Sequence, residues 1–147
     1  MISGDYIIRE VSGGAHFEVL NYLNAQAPDR FPALEARHLN DGHWWLVRTW
    51  DRTIVGFAGL VEMFPFEATG YLKRAYVTPE HRGNGLQVKL MKLREAKARE
   101  LGWRALVSEC AGDNSVSAGN FIKCGFTVVD PEQKWGAPGS IYFVKRL

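Results

Sequence analysis

The sequence is poor in cysteine and has no long apolar run. Its 147 residues include two cysteines, Cys110 and Cys124, which form neither a CxxC motif nor a cluster with histidine at metal-ligand spacing. We therefore expect two reduced, largely buried thiols and no bound metal. No apolar stretch approaches the roughly 20 residues that a membrane-spanning helix requires. The chain is therefore not expected to contact a membrane.

Excess charge and low-complexity sequence are also absent. The formal net charge is +2, and 23% of the residues are charged. Dedicated nucleic-acid-binding domains concentrate far more basic charge, so nucleic acid is not expected as a partner. The N-terminal residues lack the basic and apolar segments of a signal peptide, which favours a cytoplasmic location. The length and a hydrophobic content of 46% predict one globular domain over residues 1–147.

The most informative segment runs from Val77 to Gln87 and reads Val-Thr-Pro-Glu-His-Arg-Gly-Asn-Gly-Leu-Gln. It lies between a β-rich segment and a long amphipathic helix. Gly83 and Gly85 allow a positive φ and a close approach of the backbone to a ligand. The helix that follows presents N–H groups and the positive end of its dipole, and Arg82 adds a charged donor. The segment therefore predicts a phosphate-binding loop.

Two common phosphate-binding motifs do not fit this loop. A P-loop ends in Gly-Lys-Ser/Thr, whereas Gly85 is followed by Leu-Gln-Val. A dinucleotide-binding fingerprint needs a third Gly or Ala, and the chain has Val88 at that position. The site is therefore not expected to be that of a P-loop or Rossmann protein.

The remaining pattern, Arg82-x-x-Gly85-x-Gln87 after a strand that ends at Val77, resembles the acyl-CoA-binding motif of the GNAT superfamily of N-acyltransferases. That motif is Gln/Arg-x-x-Gly-x-Gly/Ala at the start of a helix, so Gln87 departs from it. A second segment, from Asn114 to Phe126, is similar to the family pattern Asn-x-x-Ala-x-x-x-Tyr-x-Lys-x-Gly-Phe. The resemblance covers nearly the whole chain and is specific from Tyr71 to Phe126.

The resemblance implies acetyl-CoA as cosubstrate and direct attack of a primary amine on its thioester in a ternary complex. The residues implied in cofactor binding are Ala75, Tyr76, Val77, Arg82, Gly83, Asn84, Gly85, Leu86, Gln87, Asn114, Ser117, Phe121 and Lys123. Main-chain groups of Ala75 to Val77 would face pantetheine and the developing oxyanion. Asn114 and Lys123 have a simpler alternative, because they are also a good N-cap and an ordinary last-turn cation.

Two side chains expected from the family are missing. Tyr71 stands near the usual position of a Glu base, and Phe121 stands where relatives have a Tyr acid. The missing base matters more than the missing acid. Deprotonating a lysine-like amine at neutral pH costs about 4.6 kcal/mol, whereas releasing CoA as an unprotonated thiolate costs about 2 kcal/mol. The candidate catalytic residues are Glu62, Glu109 and Tyr71, with a water chain as a further route. The simpler interpretation of Glu62 and Glu109 is that each is an ordinary solvent-exposed carboxylate on a strand.

The pattern of elements, β-α-α-β-β-β-α-β-α-β-β, matches the order found in GNAT proteins. These elements predict an α/β (α+β) fold with about seven strands and about four helices, and the resemblance implies that the strands form one mixed central sheet. The helix after the loop is predicted over about residues 85–101, with Leu86, Leu90, Leu93 and Leu101 toward the core. Five aromatic residues lie on or beside the strands that would flank the acceptor cleft, and most of them are expected in the core. Any that line the cleft favour an apolar or aromatic amine, or a cation held over a ring. The five residues are Trp44, Trp45, Phe64, Phe66 and Tyr71.

Three functions remain open on these observations. The first is an N-acetyltransferase acting on a small-molecule or peptide amine. The second is a non-catalytic acyl-CoA-binding or regulatory domain, which the missing Glu and Tyr favour. The third is a GNAT enzyme acting on aminoacyl-tRNA, which would call for a more basic surface than a net charge of +2. A homodimer is a further expectation, because dimers are common among relatives.

Overall fold

The computed structural model describes residues 2–27 and 32–147. Within these ranges the strands are β1 (Ile2–Ser3), β2 (Tyr6–Val11), β3 (His43–Thr49), β4 (Ile54–Glu62), β5 (Thr69–Val77), β6 (Ala105–Ala111), β7 (Thr127–Val129) and β8 (Ser140–Arg146). The helices are α1 (Phe17–Gln26), α2 (Ala36–Asp41), α3 (Leu86–Glu100) and α4 (Ser115–Lys123), with a 3-10 turn at Pro79–His81.

The sheet is mixed, as the family resemblance implies. Hydrogen-bonded neighbours follow the order β1-β2-β3-β4-β5-β6-β8-β7. β5 and β6 run parallel, whereas β6 and β8 are antiparallel. The described residues contain one strand more than the seven predicted, because the two-residue β1 precedes β2. The predicted fold class is confirmed.

The chain divides into two compact units, and the first contains residues 1–61 and 73–90. Its core is a cluster of apolar residues: Leu20, Leu23, Ala27, Leu34, Leu39, Trp44, Leu46, Phe57 and Tyr76. Trp44 is fully buried, stacks on Phe57 and donates from Nε1 to the His38 carbonyl at 2.9 Å. Gly59 makes room for it, because a Cβ there would lie 2.6 Å from the Trp44 ring. This packing fixes α2 against β3 and β4.

The second unit contains residues 62–72 and 91–147. In its sheet, Glu109 pairs with Tyr142 and Ser108 with Phe143 across β6 and β8. Phe121 of α4 stacks on Phe143 with ring centroids 4.5 Å apart. Because side chains alternate along a strand, α4 covers the Ser108–Phe143 face of this sheet, and Glu109 and Tyr142 lie on the opposite face.

Helix α3 follows the predicted span but ends earlier, at Glu100. Leu86 and Leu90 are buried as predicted, and the series continues at Arg94 and Ala98. The prediction that Leu101 faces the core is wrong, because its side chain is 40% exposed. Leu101 lies beyond the last helical residue, so it does not continue the four-residue spacing of the buried positions. Full burial lowers the pKa of Arg94 to about 10.

Candidate active site

The predicted phosphate loop in the first unit has the backbone that its glycines suggest. Gly83 has a φ of 82° and Gly85 a φ of 72°. A Cβ built on either residue meets no atom within 4 Å, so conformation and not crowding requires glycine. The first hydrogen bond of α3 joins Lys89 N–H to the Gly85 carbonyl at 3.1 Å. The N–H groups from Gly85 to Val88 therefore have no acceptor within the helix and can serve an anion.

Arg82 ties this loop to the end of β5. Its Nε donates to the Val77 carbonyl at 3.0 Å, and its guanidinium lies 5.8 Å from the centre of the Tyr76 ring. The bond to Val77 uses one of several donors of the guanidinium. The side chain is exposed, so the positive charge lies at the surface beside the glycines. Arg82, Tyr76 and Val77, all predicted cofactor residues, are thus in contact.

Tyr6 supports the loop from the first long strand. Asn84 Nδ2 donates to Tyr6 Oη at 3.1 Å and to the His81 carbonyl at 3.0 Å. Tyr6 Oη also lies 2.9 Å from His81 Nδ1, and the two rings meet edge to face. Sequence reasoning predicted cofactor binding for Asn84, whereas its side-chain amide here holds the loop. It missed Tyr6, which is 75 residues away from His81 and belongs to no motif.

The strand before the loop is irregular at Arg74, which has a φ of 52°. Arg74 Nε donates to Asn24 Oδ1 at 3.2 Å. Asn24 is 2% exposed and donates from Nδ2 to the Pro32 carbonyl at 2.9 Å. A positive φ in a strand breaks the regular alternation and re-aims the main chain that follows. The residues that follow are Ala75, Tyr76 and Val77, for which main-chain contacts with pantetheine were predicted.

Two of the three candidate catalytic residues meet in the second unit. The Tyr71 hydroxyl donates to Glu109 Oε1. Trp135 Nε1 donates to Glu109 Oε2 at 2.8 Å, so both carboxylate oxygens accept a hydrogen bond. Glu62 of the same unit is exposed at the end of β4. Sequence reasoning missed Trp135, because 26 residues of chain separate it from Glu109 and no motif links them.

The α4 residues have the roles that simple helix chemistry gives them. Asn114 Oδ1 accepts from the Ser117 N–H at 3.1 Å, which is an N-cap. Phe121 is 6% exposed and packs between Phe143 and Phe126. Lys123 is exposed in the last turn. The N-cap is the simpler alternative stated for Asn114, and cofactor binding by these residues stays a prediction.

Neither cysteine has the properties of a nucleophile. Cys110 and Cys124 are both free. Burial raises the pKa of the Cys110 thiol, and the nearby Glu109 charge adds to the rise, while a hydrogen bond with Ser117 opposes it. Burial also raises the pKa of Cys124. Thiols with raised pKa values carry little thiolate near neutral pH, so the geometry does not favour an acyl-cysteine.

The predicted aromatic residues lie in different environments. Trp44 and Trp45 are buried, whereas the side chain of Phe64 is 85% exposed. Tyr71, the fifth aromatic residue named from the sequence alongside Phe66, donates a hydrogen bond to the candidate catalytic carboxylate of Glu109.

Residues 2–27 and 32–147 contain no group of three His, Cys, Asp or Glu residues that could bind a metal ion. No helix in the same ranges has the length and apolar character needed to cross a bilayer.

Comparison with known proteins places these features in a family. Residues 15–126 match the model of the Acetyltransferase (GNAT) family. A GNAT family acetyltransferase from Elizabethkingia anophelis, solved with acetyl-CoA bound, is 21% identical with a TM-score of 0.75, and the match covers 97% of this chain and 99% of that one. Ribosomal-protein-alanine N-acetyltransferase from Brucella melitensis is 21% identical with a TM-score of 0.72, over 96% of this chain and 99% of that one.

IAA acetyltransferase from Bacillus cereus is 17% identical with a TM-score of 0.74, over 97% of this chain and 99% of that one. At such identities these structures show a shared fold. No curated protein gives a significant match.

Proposed function

Because the chain belongs to the Acetyltransferase (GNAT) family, we propose that it transfers an acetyl group from acetyl-CoA to a primary amine by direct attack in a ternary complex. The observation that carries this proposal is the loop from Arg82 to Gln87. Its positive-φ glycines stand directly before α3, and open space lies where their Cβ atoms would be. The Elizabethkingia relative, which has acetyl-CoA bound, adds support.

The loop suits a pyrophosphate in both shape and charge. The N–H groups at the start of α3 can donate to phosphate oxygens while the helix dipole favours their negative charge. Arg82 supplies a cation that its bond to Val77 keeps beside the loop. The irregular strand segment after Arg74 supplies main-chain groups for the pantetheine arm and for the oxyanion of the reaction. Leu86 is buried, so it contributes its N–H group and not its side chain.

Glu109 is the carboxylate proposed to receive the proton of the amine. The amine nitrogen bonds to the carbonyl carbon of the thioester, the carbon–sulfur bond breaks, and the nitrogen's proton passes to Glu109 directly or through water. CoA leaves as thiolate or takes a proton from water, which costs about 2 kcal/mol if its pKa resembles that of a cysteine. The hydroxyl of Tyr71 orients Glu109 through its hydrogen bond. The exposed Glu62 is the second candidate for this role.

A non-catalytic acyl-CoA-binding domain is the alternative, and Phe121 is the observation in its favour. Relatives have a tyrosine there, whereas the Phe121 ring packs against Phe143 and Phe126 and has no proton to give. Such a domain would bind acetyl-CoA and release no CoA with any amine.

Thiol release across an amine panel, together with calorimetric titration of acetyl-CoA, separates these functions. The enzyme should bind acetyl-CoA and release CoA only when an amine is present. Arg82→Ala should weaken acetyl-CoA binding about tenfold, which corresponds to about 1.4 kcal/mol. Arg104→Ala, which removes an exposed arginine of the second unit, is the matched control and should leave the affinity unchanged. Tight binding with no release for any amine would support the non-catalytic domain.

A further inference from the structure

We propose that Glu109 and the strap, defined as residues 130–139 between β7 and β8, bind the ammonium group of the acceptor. We further propose that they select a primary amine with an apolar or aromatic substituent and no carboxylate beside the nitrogen. This inference rests on the acetyltransferase function proposed above and names its substrate class. All the residues that carry it lie in the second unit.

The strap makes close contact with Glu109. Trp135 donates to Glu109 Oε2 at 2.8 Å, and the next residue, Gly136, approaches so closely that a Cβ on it would lie 2.8 Å from Glu109 Cγ. The Gly136 N–H donates to the Tyr142 hydroxyl at 3.2 Å. The Trp135 and Tyr142 rings meet edge to face with centroids 4.8 Å apart. Glu109, which belongs to β6, is thus held in place by contacts with the strap and by its neighbour Tyr142 on β8.

The two hydrogen-bond donors to Glu109 do not neutralise its negative charge. Tyr71 and Trp135 are neutral donors, so they satisfy the two oxygens without cancelling the negative charge. The strap cation Lys134 pairs with Asp130, donates to the Pro131 carbonyl at 3.1 Å and lies 5.6 Å from the centre of the Tyr142 ring. Its ion pair is therefore with Asp130 and not with Glu109. A half-buried carboxylate beside aromatic rings is well suited to a cation, because the ion pair and the ring faces both attract it.

The strap also offers space for the rest of an amine. A groove of about 480 Å³ lies against it, and Gly136 and Tyr142 belong to its lining. Both residues also stand next to Glu109, which lies just outside the lining. The other walls are largely apolar and include Val129, Pro138 and Ile141, and the ion-paired Asp130 and Lys134 also belong to the lining. A groove of this size and character fits the substituent of a small ligand whose polar group lies at one end.

Charge then determines which amines are excluded. An amino acid carries a carboxylate one carbon away from its ammonium group, and that carboxylate would approach Glu109 and be repelled. An arylalkylamine has the same ammonium group without the carboxylate. Phenylalanine and 2-phenylethylamine differ in this feature alone and form a matched pair of probes.

The test is calorimetric titration of both probes into protein saturated with CoA, so that binding is measured without turnover. We expect 2-phenylethylamine to bind at least tenfold more tightly than phenylalanine. Glu109→Gln should weaken 2-phenylethylamine at least tenfold and reduce the difference between the probes. Trp135→Phe, which keeps a ring and removes the N–H donor, should weaken it several-fold. Trp50→Phe is the control, because that indole donates to the Gly4 carbonyl in the other unit.

The outcomes separate this inference from the proposed function. Equal or tighter binding of phenylalanine, or unchanged binding of 2-phenylethylamine by Glu109→Gln, overturns the inference, even if acetyl transfer is observed. Selective binding that depends on Glu109, with no CoA release for any amine, supports the site and overturns the proposed function. Circular dichroism verifies folding of each variant. If Glu109→Gln does not fold, Trp135→Phe decides, and unchanged binding in that variant counts against the inference.

Discussion

At the scale of single residues, Gly85 combines a special backbone conformation with a position next to the expected ligand. Gly102, just after α3, provides a match, because its φ of 78° is close to the 72° of Gly85 and neither would crowd a Cβ. Alanine at either position should cost about 1 kcal/mol or more of folding free energy from backbone strain. We expect only Gly85→Ala to weaken acetyl-CoA binding, by about tenfold or about 1.4 kcal/mol.

Chemical denaturation measures the first effect and calorimetric titration the second. Equal acetyl-CoA affinities in the two glycine variants would argue against phosphate binding at this loop.

Tyr6 should influence cofactor binding without touching the cofactor. Tyr6→Phe keeps the ring and removes the hydroxyl that meets His81 and Asn84. If these hydrogen bonds stabilise the bound conformation of the loop by about 1 kcal/mol, their loss should reduce acetyl-CoA affinity about fivefold. Tyr22→Phe is the control, because Tyr22 is exposed on α1. Titration of acetyl-CoA into both variants checks this, and an unchanged affinity in Tyr6→Phe would show that the hydroxyl does not support the loop.

The residue scale also shows where sequence reasoning stops. Gly83 and Gly85 could be identified because a positive φ before a helix is a local requirement that glycine meets. Tyr6 and Trp135 could not be identified, because their contacts join residues that are distant in the sequence and meet only in the folded protein. The same limit applies to Asn84, whose place in the motif was evident while its bond to Tyr6 was not.

At the scale of elements, Arg74 interrupts β5 with a positive φ. Two substitutions can separate the cost of this backbone conformation from the loss of the Arg74 side-chain bond to Asn24. Arg74→Ala and Arg74→Gly both lose the bond to Asn24, but only glycine adopts a φ of 52° without cost. We expect Arg74→Gly to be more stable than Arg74→Ala by about 1 kcal/mol. Urea denaturation of both variants measures the difference. An alanine variant of equal or greater stability would show that the conformation at residue 74 is not strained.

Element types were predictable because periodicity and turn residues are local signals. The helical spacing of Leu86, Leu90 and Leu93 indicated α3. The error at Leu101 arose where the helix ends, because spacing alone does not show which turn is the last. The family resemblance implied a mixed sheet, whereas the parallel pairing of β5 with β6 was not predicted, since periodicity does not determine which strands become neighbours.

At the scale of the whole molecule, the weak net charge and the match over residues 15–126 agree with an enzyme family that binds an anionic cosubstrate. The acceptor could not be predicted from the sequence. Its proposed site requires Tyr71, Glu109 and Trp135 to meet from β5, β6 and the strap. Sequence alone supplied the first two as separate candidates and gave no reason to join them.

The stability of the molecule should depend on pH through His38 of α2. Burial lowers the pKa of His38, and the charge of Lys73 lowers it further. Its Nδ1 is also buried without a hydrogen-bond partner among the described residues. The neutral imidazole is therefore favoured in the folded state, while the unfolded chain titrates near pH 6.5. Stability from this group is fully present above about pH 6.5 and is lost as the pH falls through the lower folded-state value.

His38→Gln removes this titration, so its free energy of unfolding should fall less than that of the wild type between about pH 7 and about pH 5. Urea denaturation at a series of pH values gives the two slopes, and groups shared by both proteins cancel in their difference. His16→Gln is the control, because the His16 ring is outside the core and its Nδ1 lies 2.9 Å from the Ser12 carbonyl. If the wild type and His38→Gln lose stability in parallel, burial of a neutral His38 does not contribute to the acid sensitivity of the fold.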